Sequence, residues 1–224
     1  MNKTAFLSIV FPKNEKYLNF FFDSLSEQTN KDFDLIIVND GLKNFNFYKD
    51  LYSNLNIISI NSSYSPAKNR EVGINYCIDQ KYDFLIFGDS DDYFQNNRIE
   101  KSLELLKITD VVVNDLSLFN SNGVYEKKYL SNRIKNLDKI TVEFIKDKNI
   151  FGMTNTAIKM NNLEKVKFEE KILAVDWFFF KNLLNKGLNA IFTNETISFY
   201  RQHKKNTVGL NVENNKYLLW WEKK

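Results

Sequence analysis

Through the first 115 residues, short apolar runs rich in Ile, Val and Phe alternate with longer stretches whose apolar residues recur at helical spacing. "FLSIVF" (6–11), "FDLIIVND" (33–40), "NIISI" (56–60), "YDFLIFGD" (82–89) and "DVVVND" (110–115) predict five strands. Between them, "EKYLNFFFDSLSEQ" (15–28) puts Leu18, Phe21, Phe22 and Leu25 on one helical face. "PAKNREVGINYCIDQ" (66–80) opens on Pro and predicts a helix with Val72, Ile74, Tyr76 and Cys77 inside. "NNRIEKSLELLKI" (96–108) predicts another. Strands that are apolar on both faces, alternating with helices, imply a mostly parallel sheet covered by helices.

The second half is less regular. "FNSNGVYEKKY" (119–129) predicts a hairpin turning at Asn122-Gly123. The Lys-rich stretch 126–148 reads as a solvated face. "AVDWFFFKNLLNKGL" (174–188) predicts a helix ending at Gly187, with "NAIFTN" and "TISFYRQH" as two strands after it. The closing "ENNKYLLWWEKK" is an apolar patch with a charged end, suited to a docking helix, a dimer contact or the stub of a further region. The expected organisation is one domain over 1–210, with a nucleotide-binding half (1–115) and an acceptor-side half (116–210), then a tail at 211–224.

Composition narrows the classes. A net charge of +3, from 31 basic and 28 acidic residues, is too mild an excess to argue for nucleic acid. The single cysteine, Cys77, cannot pair within the chain, which fits a reducing cytoplasm. No apolar run reaches the ~20 residues of a membrane span. The apolar part of "MNKTAFLSIVFPKNE" is too short for a signal peptide and reads as the first strand.

The chemistry concentrates where strand four ends. "FGDSDDYF" (87–94) places Asp89, Asp91 and Asp92 within four residues. Like charges this close repel, so a cation or a solvated turn must accommodate them. In open α/β sheets ligands bind beyond the carboxyl ends of strands. Asp89 and Asp91 therefore read as oxygen ligands for Mg²⁺ or Mn²⁺, which bridge protein to a diphosphate. Asp40 stands in the same way after strand two, although an isolated "NDG" also suits a plain turn. Asp176, before the apolar "WFFFKNLL", suits a helix N-cap as well as a base. A nucleotidyltransferase would also pair such a sheet with acidic ligands, but "FPKNEKY" after strand one lacks the Gly-rich loop it needs. A phosphatase with an Asp nucleophile would carry its D-x-D after strand one, not strand four. A degenerate domain that only binds carbohydrate or a partner is the non-enzyme alternative.

"FLSIVFP", "LSEQTNKDFDLIIVNDG", "AKNREVGI", "DFLIFGDSDDYF", "VDWFFFKNLLNKG" and "FYRQHKKNTVG", in this order, resemble glycosyltransferase family 2, inverting enzymes of the Rossmann-like GT-A fold of bacterial surface-glycan type. The resemblance covers about residues 5–210. It implies a transferase moving a sugar from a nucleotide-diphosphate sugar to a glycan or lipid-linked acceptor hydroxyl, with Mn²⁺ or Mg²⁺, in the cytoplasm or peripherally at the inner membrane. A homo-oligomer through the tail belongs to the same set of expectations. By resemblance, Asp40 reads the base, Asp89 with Ser90 lies near the ribose, Asp91 binds the metal, and Asp176 is the catalytic base. Glu169 and Glu170 are next in line for the base. His203 contacts the diphosphate or the metal, unless it is structural. Lys68 and Arg70 compete for the basic nucleotide contact. The aromatic residue expected to stack on the base is missing from Pro12-Lys13-Asn14, and Phe11 stands closest to that role. Asn39 and Val175 stand where Asp and Glu are common in the family.

Overall fold

In the computed structural model, residues 2–161, 163–172 and 174–202 are described. Among these residues, ten strands form one sheet: β1 (Thr4–Val10), β2 (Asp34–Asp40), β3 (Asn56–Ser62), β4 (Phe84–Phe87), β5 (Tyr93–Phe94), β6 (Val111–Asn120), β7 (Gly123–Glu126), β8 (Lys139–Ile140), β9 (Thr156–Lys159) and β10 (Ala190–Arg201). The order is β3-β2-β1-β4-β9-β6-β10-β5, with β7 on β6 and β8 on β10. The parallel ladders β1–β2, β2–β3, β1–β4 and β6–β10 span four to nine residue pairs. The antiparallel ones span only two or three.

Strand alternation divides the core into two layers. Leu7, Ile36, Val38, Leu85 and Phe87 face one side, packed with helices α3 (Pro66–Asp79) and α5 (Val175–Asn185). Phe6, Leu35, Ile37 and Ile86 face the other, packed with α1 (Leu18–Ser26), α2 (Phe45–Leu51) and α4 (Arg98–Leu105). Leu18, Phe21, Phe22 and Leu25 of α1 are all fully buried, as their spacing predicts. Each such side chain contributes roughly 1.5–3 kcal/mol. In α3, Ile74 and Cys77 are buried, while Val72 and Tyr76 are only half-buried. The helix presses Gly73 against the sheet instead.

Several elements depart from the pattern. A 3₁₀ segment, Pro12–Tyr17, precedes α1 and shortens the expected helix. Strand β9 enters antiparallel between β4 and β6, where the sequence predicted nothing. The two predicted C-terminal strands are one, β10, whose register against β6 shifts between Thr193 and Ile197. The 119–129 hairpin forms, with Asn120 opposite Gly123. Helix α5 ends at Asn185, and Gly187 follows at φ +91°, a left-handed position that favours glycine. No helix among the described residues is long and apolar enough to cross a membrane. The 211–224 tail lies outside the described residues.

Candidate active site

The acidic loop begins where β4 stops. The Gly88 N–H donates to the Leu7 carbonyl at 3.0 Å, continuing the β1–β4 pairing for one step. A Cβ on Gly88 would lie 2.4 Å from the Phe6 ring and 2.7 Å from the Phe94 ring, so only glycine lets the chain pass between them. The loop then tightens, with the Asp92 N–H donating to the Asp89 carbonyl at 3.2 Å. Ser90 is buried and takes a 3.4 Å hydrogen bond from Asn14 Nδ2, in the 3₁₀ segment after β1.

Two arginines grip this loop. Arg98, the first residue of α4, is fully buried. Its Nη2 donates to the Phe87 carbonyl at 2.5 Å and its Nε to Asn114 Oδ1 at 3.2 Å. The guanidinium lies against the rings of Phe94 and Phe6, 4.4 and 5.4 Å from their centroids. Arg201, at the end of β10, donates its Nε to the Asp91 carbonyl and its backbone N–H to Asp92 Oδ1, both at 2.7 Å. Its guanidinium sits 4.1 Å from the Tyr17 ring and 4.3 Å from that of Phe119. In sequence Arg201 belongs to a basic run with His203, Lys204 and Lys205, which would suit a diphosphate. The structure directs its Nε to the loop backbone instead.

The three carboxylates differ in setting. Asp92 is buried, and desolvation, then Asp91 and Asp89, push its carboxyl up. Its role is internal, as the acceptor for Arg201. Asp89 is about one third exposed (32%). Desolvation raises its carboxyl to about 6, with Arg70 pulling it back and Asp91 and Asp176 pushing it further up. Asp91 is half-buried beside it.

Arg70 and Lys68 both lie on α3, whose start is capped by the Ser65 hydroxyl accepting the Lys68 N–H at 3.4 Å. They face different partners. Lys68 Nζ is 2.8 Å from Glu71, whose carboxylate also takes the Phe168 N–H at 2.5 Å. Arg70 places Nη2 3.7 Å from Asp89 and donates Nη1 to the Pro66 carbonyl at 3.1 Å. Its charge lowers the pKa of both Asp89 and Asp176.

Asp176 is the second residue of α5, and Ala174 occupies the N-cap position that the sequence offered to Asp176. The Asp176 carboxylate accepts the Trp177 N–H at 2.7 Å, inside the first helical turn. Burial pushes its carboxyl above the ordinary range, while the Trp177 N–H and Arg70 pull it down. Trp177 is buried with its indole N–H on the Ile145 carbonyl at 3.1 Å, so it packs the core rather than offering a face to a sugar. Glu169 and Glu170 are exposed.

Asp40 ends β2, half-buried, with its backbone paired to Ser62 of β3. The turn after it is closed by Asn39, whose side chain exchanges two hydrogen bonds with Leu42, at 2.9 and 3.0 Å. Phe11 is half-buried between β1 and the 3₁₀ segment. His203 lies outside the described residues. Among those described, no group of three or more His, Cys, Asp and Glu stands ready to hold a metal.

Arg98 and the bracing by Arg201 were missed from sequence. A signal existed for Arg98: a cation at the first position of a helix opposes the helix dipole. Its presence there implies a partner elsewhere.

A model of the family described as glycosyl transferase family 2 matches residues 8–203. The O-antigen biosynthesis glycosyltransferase WbnJ of Escherichia coli is 27% identical over 210 residues, covering 86% of this chain and 77% of that protein. Among solved structures, S. aureus TarS 1–349 in complex with UDP-GlcNAc is similar at TM-score 0.72 and 15% identity, over 96% of this chain and 63% of that one. The mannosyltransferase PcManGT from Pyrobaculum calidifontis, in complex with GDP-Man and Mn²⁺, is similar at TM-score 0.67 and 13% identity, over 92% and 58%. This chain thus spans roughly three fifths of those solved chains, and at such identities the likeness establishes the fold. The family match covers most of the sequence and the curled α/β sheet agrees with it: the chain belongs to glycosyltransferase family 2 and has the GT-A fold.

Proposed function

We propose that the protein is an inverting, metal-dependent sugar transferase, acting on a nucleotide-diphosphate sugar and a glycan or lipid-linked acceptor in bacterial surface-polysaccharide synthesis. Cytoplasmic work, peripheral to the inner membrane, is part of this reading. The observation that carries it is Arg70, electrostatically coupled to both Asp89, at a strand end, and Asp176, at the start of a helix. That arrangement joins a donor subsite to a base.

In this reading Asp40 contacts the base of the nucleotide, with Phe11 beside it, and Asp89 and Ser90 lie toward the ribose. Arg70 turns from Asp89 to the diphosphate, the stronger anion for a guanidinium. Asp91, with Asp89, would hold Mn²⁺ or Mg²⁺. The donor set fits: hard oxygen ligands, and a cation that commonly takes one or two carboxylates while completing its shell with substrate phosphates and water. His203 is a further ligand candidate. When bound, the cation neutralises charge on the leaving diphosphate. Asp176 takes the proton of the acceptor hydroxyl as that oxygen attacks the anomeric carbon from the face opposite the diphosphate. Its raised pKa makes it a stronger base than an ordinary carboxylate. Direct displacement inverts the anomeric centre and needs no covalent enzyme intermediate.

The relatives' ligands, UDP-GlcNAc and GDP-Man, set the first compounds to try. The test is thermal shift across UDP- and GDP-sugars with and without Mn²⁺. A true donor should raise Tm only with the metal present, by mass action. Equal Tm across the whole panel, with no transfer to any acceptor, would count against the reading.

A further inference from the structure

We infer that Arg98 and Arg201 are positioning residues that fix the acidic loop 88–92 from opposite sides, holding Asp89 and Asp91 where a cation and a diphosphate would meet them. The second half of this inference rests on the function proposed above; the bracing itself does not.

Two arginines, 103 residues apart in sequence, do the same thing in different surroundings. Arg98 comes from beneath. Its fork ties the last carbonyl of β4 to Asn114 on β6, so the point where the loop leaves the sheet is set by two strands at once. Arg201 comes from the end of β10 and ties the backbone at Asp91 and the carboxylate of Asp92. The Arg98 guanidinium lies against two aromatic rings and that of Arg201 against three, Tyr17, Phe20 and Phe119, which restrict its plane. Phe6 and Phe94, which hold Arg98, are the rings that leave Gly88 no room for a Cβ. The glycine, the clamp and the acids are therefore one packed unit.

A core filler would not need to be an arginine. Burying a guanidinium is costly unless it is paired and hydrogen-bonded. Arg98 makes two strong bonds, yet its Nη1 is buried without a hydrogen-bond partner among the described residues. Burial lowers the Arg98 pKa to about 9, and Asp92 and Asp89 act against that fall, so the guanidinium stays charged at neutral pH. It is a fixed positive charge at the loop's entry. A leucine or methionine would fill the space and leave the loop's exit from β4 without its tie to Asn114.

Hydrogen exchange provides the test, because it reads the loop without needing the sugar or acceptor. The full chain is compared as wild type, Arg98→Met, Arg201→Met and Ile57→Ala. Ile57 is buried on β3, away from the acidic loop, so its truncation controls for loss of global stability. The amides of Gly88 and Asp92 are the reporters, with β2 and β3 amides as the reference. Both arginine variants should speed exchange at the reporters by about tenfold or more relative to the reference, the scale of one lost charged hydrogen bond. Ile57→Ala should not. If Arg98→Met does not fold, Arg201→Met carries the test alone. Unchanged reporter protection in the folded arginine variants overturns the inference. Equal loosening in Ile57→Ala overturns it too, since the effect would then be global. In parallel, Mn²⁺ alone is titrated and the free ion followed by electron paramagnetic resonance. Weaker binding by the arginine variants supports the second half. Mn²⁺ binding that matches wild type despite a loosened loop overturns that half. A wild type that binds no Mn²⁺ removes the metal site from the proposed function, and the exchange result still decides the bracing.

Discussion

The acidic loop and the start of α5 supply the two sides of the candidate reaction, and they are built in opposite ways. The loop is short, charged and held at nearly every residue: Gly88 by two rings, Ser90 by Asn14, Asp91 and Asp92 by Arg201, its entry by Arg98. Asp176 is held by little beyond its helix. Ala174 at the N-cap offers no side-chain bond, and the acid accepts the N–H of the next residue. The helix itself is fixed by apolar burial of Val175, Trp177, Phe179, Phe180, Leu183 and Leu184. Repelling charges need many specific ties, whereas a lone carboxylate on a greasy helix needs only the helix. Substitutions should therefore fail differently on the two sides.

The largest effect is expected from Asp176→Asn. It keeps the shape, the packing and an acceptor for the Trp177 N–H, and removes the proton acceptor. Transfer should fall by on the order of 10² to 10⁴, the scale of general-base catalysis. Donor binding and Tm should stay near wild type. Since Ala174 is the cap, Asp176→Ala should lose only about 0.3–1 kcal/mol from the helix dipole. Near-normal turnover by the Asn variant would move the base elsewhere, with Glu169 and Glu170 to be tried next.

Next comes Asp91→Asn. Mn²⁺-dependent nucleotide binding, measured by calorimetry, should be lost while the far-ultraviolet dichroism is retained. Metal-dependent binding equal to wild type would remove Asp91 as the ligand.

Gly88→Ala should show the opposite profile, with the fold suffering first. The new methyl must displace Phe6 or Phe94 from under 3 Å, a case of overpacking worth about 1–3 kcal/mol. A variant with unchanged denaturation midpoint would show that the rings yield freely.

Arg70 links the two sides, and its removal should be read in pH. Desolvation raises Asp176, and the acid must be ionised to act, so the acid limb of kcat/KM should lie above the usual carboxylate range. Arg70 lowers that pKa, hence Arg70→Gln should move the limb to higher pH. A limb that stays put, or moves down, would separate Arg70 from Asp176. For stability the sign is also defined. Asp89 in the folded chain binds its proton more tightly than an unfolded Asp, with a pKa raised from 3.8 to about 6. Its stabilising contribution is complete below pH 3.8 and is lost as pH rises through about 6 in the metal-free protein.

Lys68→Ala should do least. Lys68 is engaged by Glu71 one turn on, a partly exposed pair worth about 0.3–0.5 kcal/mol. Donor affinity should change by less than about twofold, well within the ~0.5 kcal/mol of an ordinary surface substitution. A loss as large as that of Arg70→Gln would return Lys68 to the nucleotide.

Much of the first half was legible because its strands are apolar on both faces and its helices carry clear stripes. Helix α2, "FNFYKDL", was invisible: it is under two turns, and only Phe45 and Tyr48 within it are buried. Strand β9 has four residues and gains its place from pairing with β4 and β6, a non-local fact that periodicity does not carry. Strand β6 looked shorter because Asn114 and Asp115 interrupt the apolar run. Both are buried, with Asp115 satisfied by the N–H groups of Leu116 and Leu130 and by Ser131. Polar residues that find partners inside look like loop in a one-dimensional reading. Asp40, Asp89 and Asp91 stood out by sitting after apolar runs, and Asp176 by preceding one. Lys68 and Arg70 point to different partners, Glu71 and Asp89, a difference of helical direction that resemblance does not carry.

The bond from Arg201 to Asp91 spans 110 positions in the chain. During synthesis, β1 to β4 and the acids that follow them emerge long before the residue that ties the loop down. Early sheet and late site are thus separated in time: a nascent chain of some 190 residues already holds nearly every strand, but not the arginine at position 201. Closing so long a loop is slow and entropically costly, so it belongs among the final folding steps. Order in this loop should appear only when β10 is complete, which makes its protection from exchange a late marker of folding rather than an early one.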